Sequence, residues 1–593
     1  MCGICGEIRW DGHAADVGAV ARMTGAMTSR GPDADGVVAQ GPVALGHRRL
    51  SIIDLSARGA QPMVDPDLGL TLVFNGCIYN YQDLRKRLQA DGYRFFSTSD
   101  SEVVIKAFHK WGERCVEQFK GMFAFAIVDR DSGVVTLARD RLGIKPLYIA
   151  SSPGRLRFAS SVRALLDAGG VDTELDREAL HHYMTFHSVV PAPLTIFRNV
   201  RKLPPATVRV VQPDGSHADT GYWTPDFGRD PTKVSWSVSD WEVALMDALR
   251  VAVKRRMVAD VPVGVLLSGG IDSSIVVALL AEQGQHGLAT FSIGFDSSDG
   301  ESGDEYFYSD LIAKKFDTDH HKIHIDESRL VPAVPKCIAA MSEPMVSHDC
   351  VAFYLLAEQV SKSVKVVQSG QGADEILAGY SWYPPLANIA RDQTTEAYAK
   401  VFFDRSHDDV QSIFAPEYGI AADVSREFAA AHHAAPGADS AVDAALRLDT
   451  QVMLVDDPVK RVDTMTMAWG LEARVPFLDH DFIELAAACP PELKLASGGK
   501  GVLKDASRAL LPSDVIDRTK GHFLVPGIRY LRGEVLDMVR DALTNDAARA
   551  RGLYRSETVN ALLSAPNETR TTLGSNALWQ LAVLEMWLQS TEG

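Results

Sequence analysis

No run of about 18 apolar residues interrupts this sequence, so nothing in it reads as a membrane-spanning helix. No charged leader followed by an apolar stretch stands at its start, which predicts a cytoplasmic protein without a signal peptide. Cysteine is sparse: seven in 593 residues, at positions 2, 5, 77, 115, 337, 350 and 489. Only Cys2 and Cys5 lie close together, and no second Cys or His pair follows at zinc spacing. That excludes a disulfide framework and a zinc finger. Cys115, Cys337, Cys350 and Cys489 are expected as buried apolar filler. An excess of positive charge is also missing, with 60 Lys and Arg against 77 Asp and Glu and a formal net charge of −17. This argues against broad affinity for nucleic acid or membrane, but a local basic pocket for an anionic substrate remains compatible. No internal repeat and no long low-complexity tract is found.

What is present is an ordinary globular mixture, 46% hydrophobic and 23% charged, long enough for about two to four domains. Residues 1 to 205 read as short strands between turns, for example 43–45, 71–74, 123–128, 134–138 and 147–149. Helical periodicity covers 81–90 and 102–111. The mixture predicts an α+β domain on antiparallel sheets. A Pro-bearing hairpin follows at 203–224, and the polar, Pro-containing stretch 225–236 reads as a linker. A helix is expected from 239 to 257. The apolar strand 261–267 then meets a glycine turn and another helix, and the pattern repeats at 287–295. This predicts a parallel α/β sheet, with the chain mostly helical from about residue 352. The expected division is 2–210, a linker at 211–238, and 239–593.

Cys2 follows the initiator Met. Removal of that Met would leave an α-amine of pKa about 7.7–8.0 on the same residue as a thiol. Base and nucleophile are then positioned together without a histidine. Further on come Arg30-Gly31-Pro32-Asp33, His47-Arg48-Arg49-Leu50-Ser51-Ile52-Ile53-Asp54, Phe74-Asn75-Gly76 and Ser99-Asp100-Ser101-Glu102. In this order the segments resemble the class II, N-terminal nucleophile (Ntn) glutaminase domain of asparagine-synthetase-type amidotransferases. The resemblance implies that Arg49 binds the glutamine α-carboxylate through a charge-assisted fork and that Asp100 holds the α-ammonium. It implies an oxyanion hole from Asn75 and the Gly76 N–H, with Leu50, Ile52 and Ile53 lining the pocket. His47 and Arg48 read as structural. Position 77, often Glu in the family, is Cys77 here, so one contact to the glutamine amine differs.

The second constellation starts where the strand 261–267 runs into Ser268-Gly269-Gly270-Ile271-Asp272-Ser273-Ser274. Glycines let the backbone wrap an oxyanion, and a helix N-terminus adds N–H donors. Asp272 would repel phosphate unless it coordinates Mg²⁺. The loop lacks the Gly-Lys-Ser/Thr of a Walker loop. It is similar to the pyrophosphate loop (PP-loop) of enzymes that adenylylate a substrate. The resemblance places adenine near Leu266 and Ile293, and nucleotide contacts at Ser268, Gly269, Gly270, Ser273, Ser369 and Gly370. Asp374, in Ser369-Gly370-Gln371-Gly372-Ala373-Asp374-Glu375, becomes the second Mg²⁺ ligand beside Asp272. Lys500 falls on the lysine that stabilises the phosphoryl transition state, with Lys504 its rival. The segment Gly470-Leu471-Glu472-Ala473-Arg474-Val475-Pro476-Phe477-Leu478-Asp479 matches the family too.

The implied whole is an Ntn glutaminase sandwich followed by an α/β PP-loop synthetase domain with a helical C-terminal part. It would use glutamine, ATP, Mg²⁺ and a small carboxylate acceptor, and release AMP and pyrophosphate. A homodimer is compatible with it. The acceptor is the open choice. Asparagine synthetases usually carry Glu where Gln371 stands, and Gln cannot take up a proton. Glu343 is then the candidate to take that part. The segments 342–349, 187–193 and 369–372 resemble the branch that amidates N-acetylglutaminylglutamine, giving a compatible solute used in osmoadaptation. Asparagine synthetase is the alternative within the class. A regulatory scaffold with a dead site is the alternative outside it, disfavoured by intact Cys2, Arg49, Asn75, Asp100, Asp272 and Asp374. A β-lactam-forming synthetase would not need Cys2.

Overall fold

The computed structural model describes residues 2–295, 304–518 and 529–592. Its N-terminal part holds two six-stranded antiparallel sheets. The first runs in the order β10 (Val200–Lys202), β8 (Tyr148–Ser152), β9 (Arg155–Ala159), β1 (Gly3–Arg9), β3 (Val43–Arg49), β2 (Ala34–Gln40). The second runs β12 (His217–Gly221), β11 (Thr207–Val211), β7 (Val135–Arg139), β6 (Gly121–Asp129), β5 (Leu70–Ile78), β4 (Met63–Asp65). Ile4 and Ile8 alternate along β1, and with Val43 and Leu45 they pack on Val73, Ala124, Ala126, Val135 and Leu137 of the second sheet. Strands present one face every second residue, so this alternation makes the apolar layer between the sheets. Helix Tyr81–Ala90 forms where expected, and helix Asp100–Trp111 starts two residues early because Ser99 caps it, accepting from the Glu102 N–H.

One boundary needs correction. The linker expected from 211 contains β12, and β11 pairs with both β12 and β7. The hairpin therefore completes the second sheet. Its polar outer strand is exposed along its whole length, as suits an edge.

The second part is a five-stranded parallel sheet, β15 (Asp319–Ile325), β14 (Ala289–Phe295), β13 (Val263–Leu266), β16 (Val366–Gln368), β17 (Glu472–Arg474). The chain leaves β13 toward β14 and later returns on the other side as β16. The carboxyl ends of β13 and β16 thus flank the point where strand order reverses, where open α/β sheets bind ligands. Helix Val238–Arg255 precedes the sheet and begins with a capping box from Ser237 and Asp240. Helix Ile271–Glu282 follows β13 and is almost wholly buried. From Asp349 onward the structure is predominantly helical. No helix among the described residues is long and apolar enough to cross a membrane.

Candidate active sites

Cys2 precedes β1, 8% exposed. Its N–H donates to Asn75 Oδ1 at 2.9 Å, and its carbonyl accepts from Arg30 Nε at 3.3 Å. Met1, whose removal would free the α-amine, lies outside the described residues. Burial pushes the Cys2 thiol up. A thiol held protonated requires a base to become a nucleophile. Asn75 is fully buried on β5, and its Nδ2 has no hydrogen-bond partner among the described residues. A buried amide donor without a partner is costly unless a ligand oxygen takes it up.

Arg49, at the end of β3, donates to the carbonyls of Ser56 at 2.9 Å and of Asp54. No carboxylate pairs with it among the described residues, which leaves its positive charge for an incoming anion. Asp100 opens its helix, and its Oδ2 accepts from the Ile78 N–H at 3.0 Å. Burial pushes Asp100 up to about 6, against the Ile78 hydrogen bond and with help from the Glu472 charge. Cys2, Arg49, Leu50, Ile52, Ile53, Gly76, Cys77 and Asp100 line one small cavity. His47 stays outside it: burial takes it down to about 3, and its neutral ring sits 3.2 Å from the Phe74 carbonyl.

Sequence reasoning missed several residues of this cavity, among them Gly59 and Gln61. Glu472 and Arg474 also line it, although they belong to β17 of the second sheet. The segment 470–479 was the available signal, but its motif says nothing about the other domain.

The second cavity, about 200 Å³, opens at the carboxyl ends of β13, β14 and β16. Leu266, Ser268, Gly270, Asp272, Ser273, Ile293, Ser369, Gly370, Gln371 and Asp374 all line it. The Ser268 and Ser273 hydroxyls are 3.2 Å apart, and Gly270 N–H donates to Ser268 Oγ at 3.3 Å. The two glycine loops touch. A Cβ on Gly370 would stand 2.8 Å from the Ser273 nitrogen, so only glycine lets them meet. Lys500, 6% exposed, lies 2.6 Å from Asp272 Oδ2 and 2.9 Å from Asp374 Oδ1. Burial works against its charge, but the two carboxylates outweigh it and hold the ammonium well above the usual lysine range. Two carboxylates converging on one point beside a phosphate-type loop make a hard-oxygen donor set that fits Mg²⁺. Lys504 instead donates to the Ser497 carbonyl at 2.6 Å, away from the pair.

Glu343 is a correction. It does not line this cavity. It is buried between the two parts, 3.1 Å from Lys202 Nζ and accepting from the Tyr148 hydroxyl at 3.2 Å. A carboxylate engaged by a lysine and a phenol in the domain interface is not placed to serve the acceptor beside Gln371. Asp349, Phe353 and Leu356 do line the cavity on that side.

Residues 244–589 match the family model described as asparagine synthase, and residues 1–223 match a glutamine amidotransferase domain. Asparagine synthetase [glutamine-hydrolyzing] 1 of Bacillus subtilis (strain 168) is 30% identical, covering 96% of this chain and 93% of that protein. A putative asparagine synthetase [glutamine-hydrolyzing] of Mycobacterium tuberculosis (strain ATCC 25618 / H37Rv) is 31% identical over 99% of this chain and 97% of its own length. Asparagine synthetase B [glutamine-hydrolyzing] of Escherichia coli (strain K12) is 28% identical over 90% and 84%.

Proposed function

Because this chain belongs to the asparagine synthase family, we propose that it transfers ammonia from glutamine to an ATP-activated carboxylate, and that the acceptor is the C-terminal carboxylate of N-acetylglutaminylglutamine. The class of reaction is glutamine-dependent amidation by a carbon–nitrogen ligase that forms AMP and pyrophosphate.

In this reading Cys2 attacks the carboxamide carbon of glutamine, and its own α-amine takes the thiol proton. Asn75 Nδ2 and the Gly76 N–H receive the oxyanion. Arg49 and Asp100 hold the two ends of the amino acid, which fixes the carboxamide over the sulfur. In the second cavity ATP is a substrate that gives the acceptor carboxylate a good leaving group. Asp272 and Asp374 would hold Mg²⁺, which neutralises phosphate charge. Lys500 donates to phosphoryl oxygens there, and Leu266 and Ile293 present backbone to the adenine. Seven free cysteines among the described residues suit a reducing, cytoplasmic setting.

One observation carries the acceptor assignment. Two of the three segments that resemble the dipeptide-amidating branch meet in space, with the Val346 N–H donating to Ser188 Oγ at 3.1 Å. Asp349, at the end of one of them, shares the nucleotide cavity with Gln371 of the third. Gln371 can donate to and accept from peptide groups, whereas an acidic side chain there would suit the α-ammonium of aspartate. A compatible-solute role in osmoadaptation follows from that product. The relatives named asparagine synthetase favour the other reading, with aspartate as acceptor. The test supplies aspartate and N-acetylglutaminylglutamine together with glutamine, ATP and Mg²⁺. The dipeptide amide is the expected product. Asparagine as the main product, with the dipeptide untouched, restores asparagine synthetase.

A further inference from the structure

Strand β17 serves both cavities. Its backbone pairs in parallel with β16, Gln368 opposite Arg474, and the Arg474 carbonyl accepts from the Ser369 N–H at 2.8 Å at the lip of the nucleotide cavity. Its side chains at 472 and 474, on one face by the two-residue period of a strand, reach the cavity of Cys2. Glu472 and Arg474 are 1% and 0% exposed. Arg474 Nε donates to Glu472 Oε1 at 2.6 Å, and its Nη1 donates to the carbonyls of Arg256 and Val258 at 2.7 and 2.8 Å. Its Nη2 stands 3.7 Å from Cys77 Sγ. The arginine is therefore fixed at both ends, and it aims the Glu472 carboxylate.

The cavity carries charges of both signs, the guanidinium groups of Arg49 and Arg474 and the carboxylates of Asp100 and Glu472, as a zwitterionic amino acid requires. Asp100 and Glu472 are two buried carboxylates in one small space, and like charges there oppose each other. Burial works against the Glu472 charge, the adjacent Arg474 guanidinium favours it, and the carboxyl lies below its ordinary range. Position 77, which lines the same cavity, supplies a thiol and no carboxylate. We propose that Glu472 is a glutamine-binding residue lent by the synthetase half, sharing the α-ammonium with Asp100, and that Arg474 is its positioning residue. The glutamine pocket is then complete only when both halves are docked. This rests on the reading of the Cys2 cavity as the glutamine site.

The experiment compares glutamine with its analogue lacking the α-amine (5-amino-5-oxopentanoate) as substrates for hydrolysis, in the wild type, Glu472→Gln and Glu472→Asp. Removing one charged hydrogen bond to the ammonium should raise KM for glutamine about 10- to 100-fold with kcat little changed. Hydrolysis of the analogue should stay near its wild-type level, so discrimination between the two substrates collapses. Glu472→Asp should recover part of it. Ammonia-driven, acceptor-dependent pyrophosphate release by the same preparations reports that the chain is folded. Equal loss toward glutamine and the analogue, or an unchanged KM in Glu472→Gln, overturns the proposal. A wild type that hydrolyses neither substrate refutes the glutaminase reading itself, a distinct outcome.

Discussion

In the proposed glutaminase reaction the thiol, its base and the oxyanion donors come from two short pieces of chain, the N-terminus and β5. None of these atoms touches the nucleotide cavity. Cys2→Ala is therefore expected to abolish amide formation from glutamine while ammonia-dependent amidation continues, measured as product with each nitrogen source. Equal loss with both would show that the two chemistries are not separable. Asp100 adds a pH signature. Its carboxyl is pushed up to about 6 by burial, above the ordinary aspartate value. Below that pH it is protonated and neutral, and a neutral acid offers an α-ammonium no charge. The kcat/KM for glutamine should accordingly fall as pH drops through about 6, approaching about tenfold per unit. Asp100→Asn should flatten that limb and raise KM throughout. A wild-type profile flat from pH 5 to 7 would remove Asp100 from the role.

The loops that end β13 and β16 work as a pair, and the short helix Ala373–Ile376 after β16 carries one of the two carboxylates. The chain then passes Gly379 against Asp374 and Lys500. A Cβ at Gly379 would lie 2.0 Å from Asp374 Oδ1 and 2.4 Å from Lys500 Cε. Nothing in the glycine pattern of the sequence marks this residue, because the constraint comes from Asp374 together with Lys500, 121 positions later, and the fold alone brings them to it. Gly379→Ala should displace both groups by about 1 Å and lower acceptor-dependent pyrophosphate release about a hundredfold. Glutamine hydrolysis should continue. Asp272→Asn and Asp374→Asn should each suppress pyrophosphate release with either nitrogen donor. Near-normal ATP turnover at ordinary Mg²⁺ in one of them would remove that residue as a ligand.

Across the whole molecule the two parts are joined by buried charges. Asp463 of the second part lies 2.9 Å from Arg30 and 3.1 Å from Lys145 of the first. Lys202 lies between Glu343 and Asp456, at 3.1 and 2.8 Å. Such pairs add little net stability when intact, but breaking one leaves an uncompensated buried charge, at a cost of about 3–5 kcal/mol. Lys202→Met should lower the thermal midpoint accordingly. Glu343→Gln should behave as an interface variant, less stable but still releasing pyrophosphate with ammonia and acceptor. Loss of that activity at unchanged stability would return Glu343 to the acceptor site.

Much of this was legible from local signals. Helix Tyr81–Ala90, strand β13 and the glycine loops announce themselves through periodicity and turn chemistry, which act over a few residues. So do the identities of Cys2, Arg49, Asn75, Asp100, Asp272 and Asp374, since each sits in a motif whose chemistry needs that side chain. The hairpin at 203–224 is legible from its turn, but the domain boundary at 211 is not, because only the pairing of β11 with β12 and β7 assigns both strands to the second sheet. Glu343 illustrates the limit from the other side: its carboxylate suits a catalytic part, but Lys202 and Tyr148 engage it. What the sequence alone determined was the class of reaction and the motifs that supply its candidate residues. Only the tertiary structure decided that Glu472 and Arg474, 397 positions beyond Cys77 in the case of Arg474, stand in the other domain's pocket. Packing between distant surfaces sets that placement, and no local propensity or spacing encodes it.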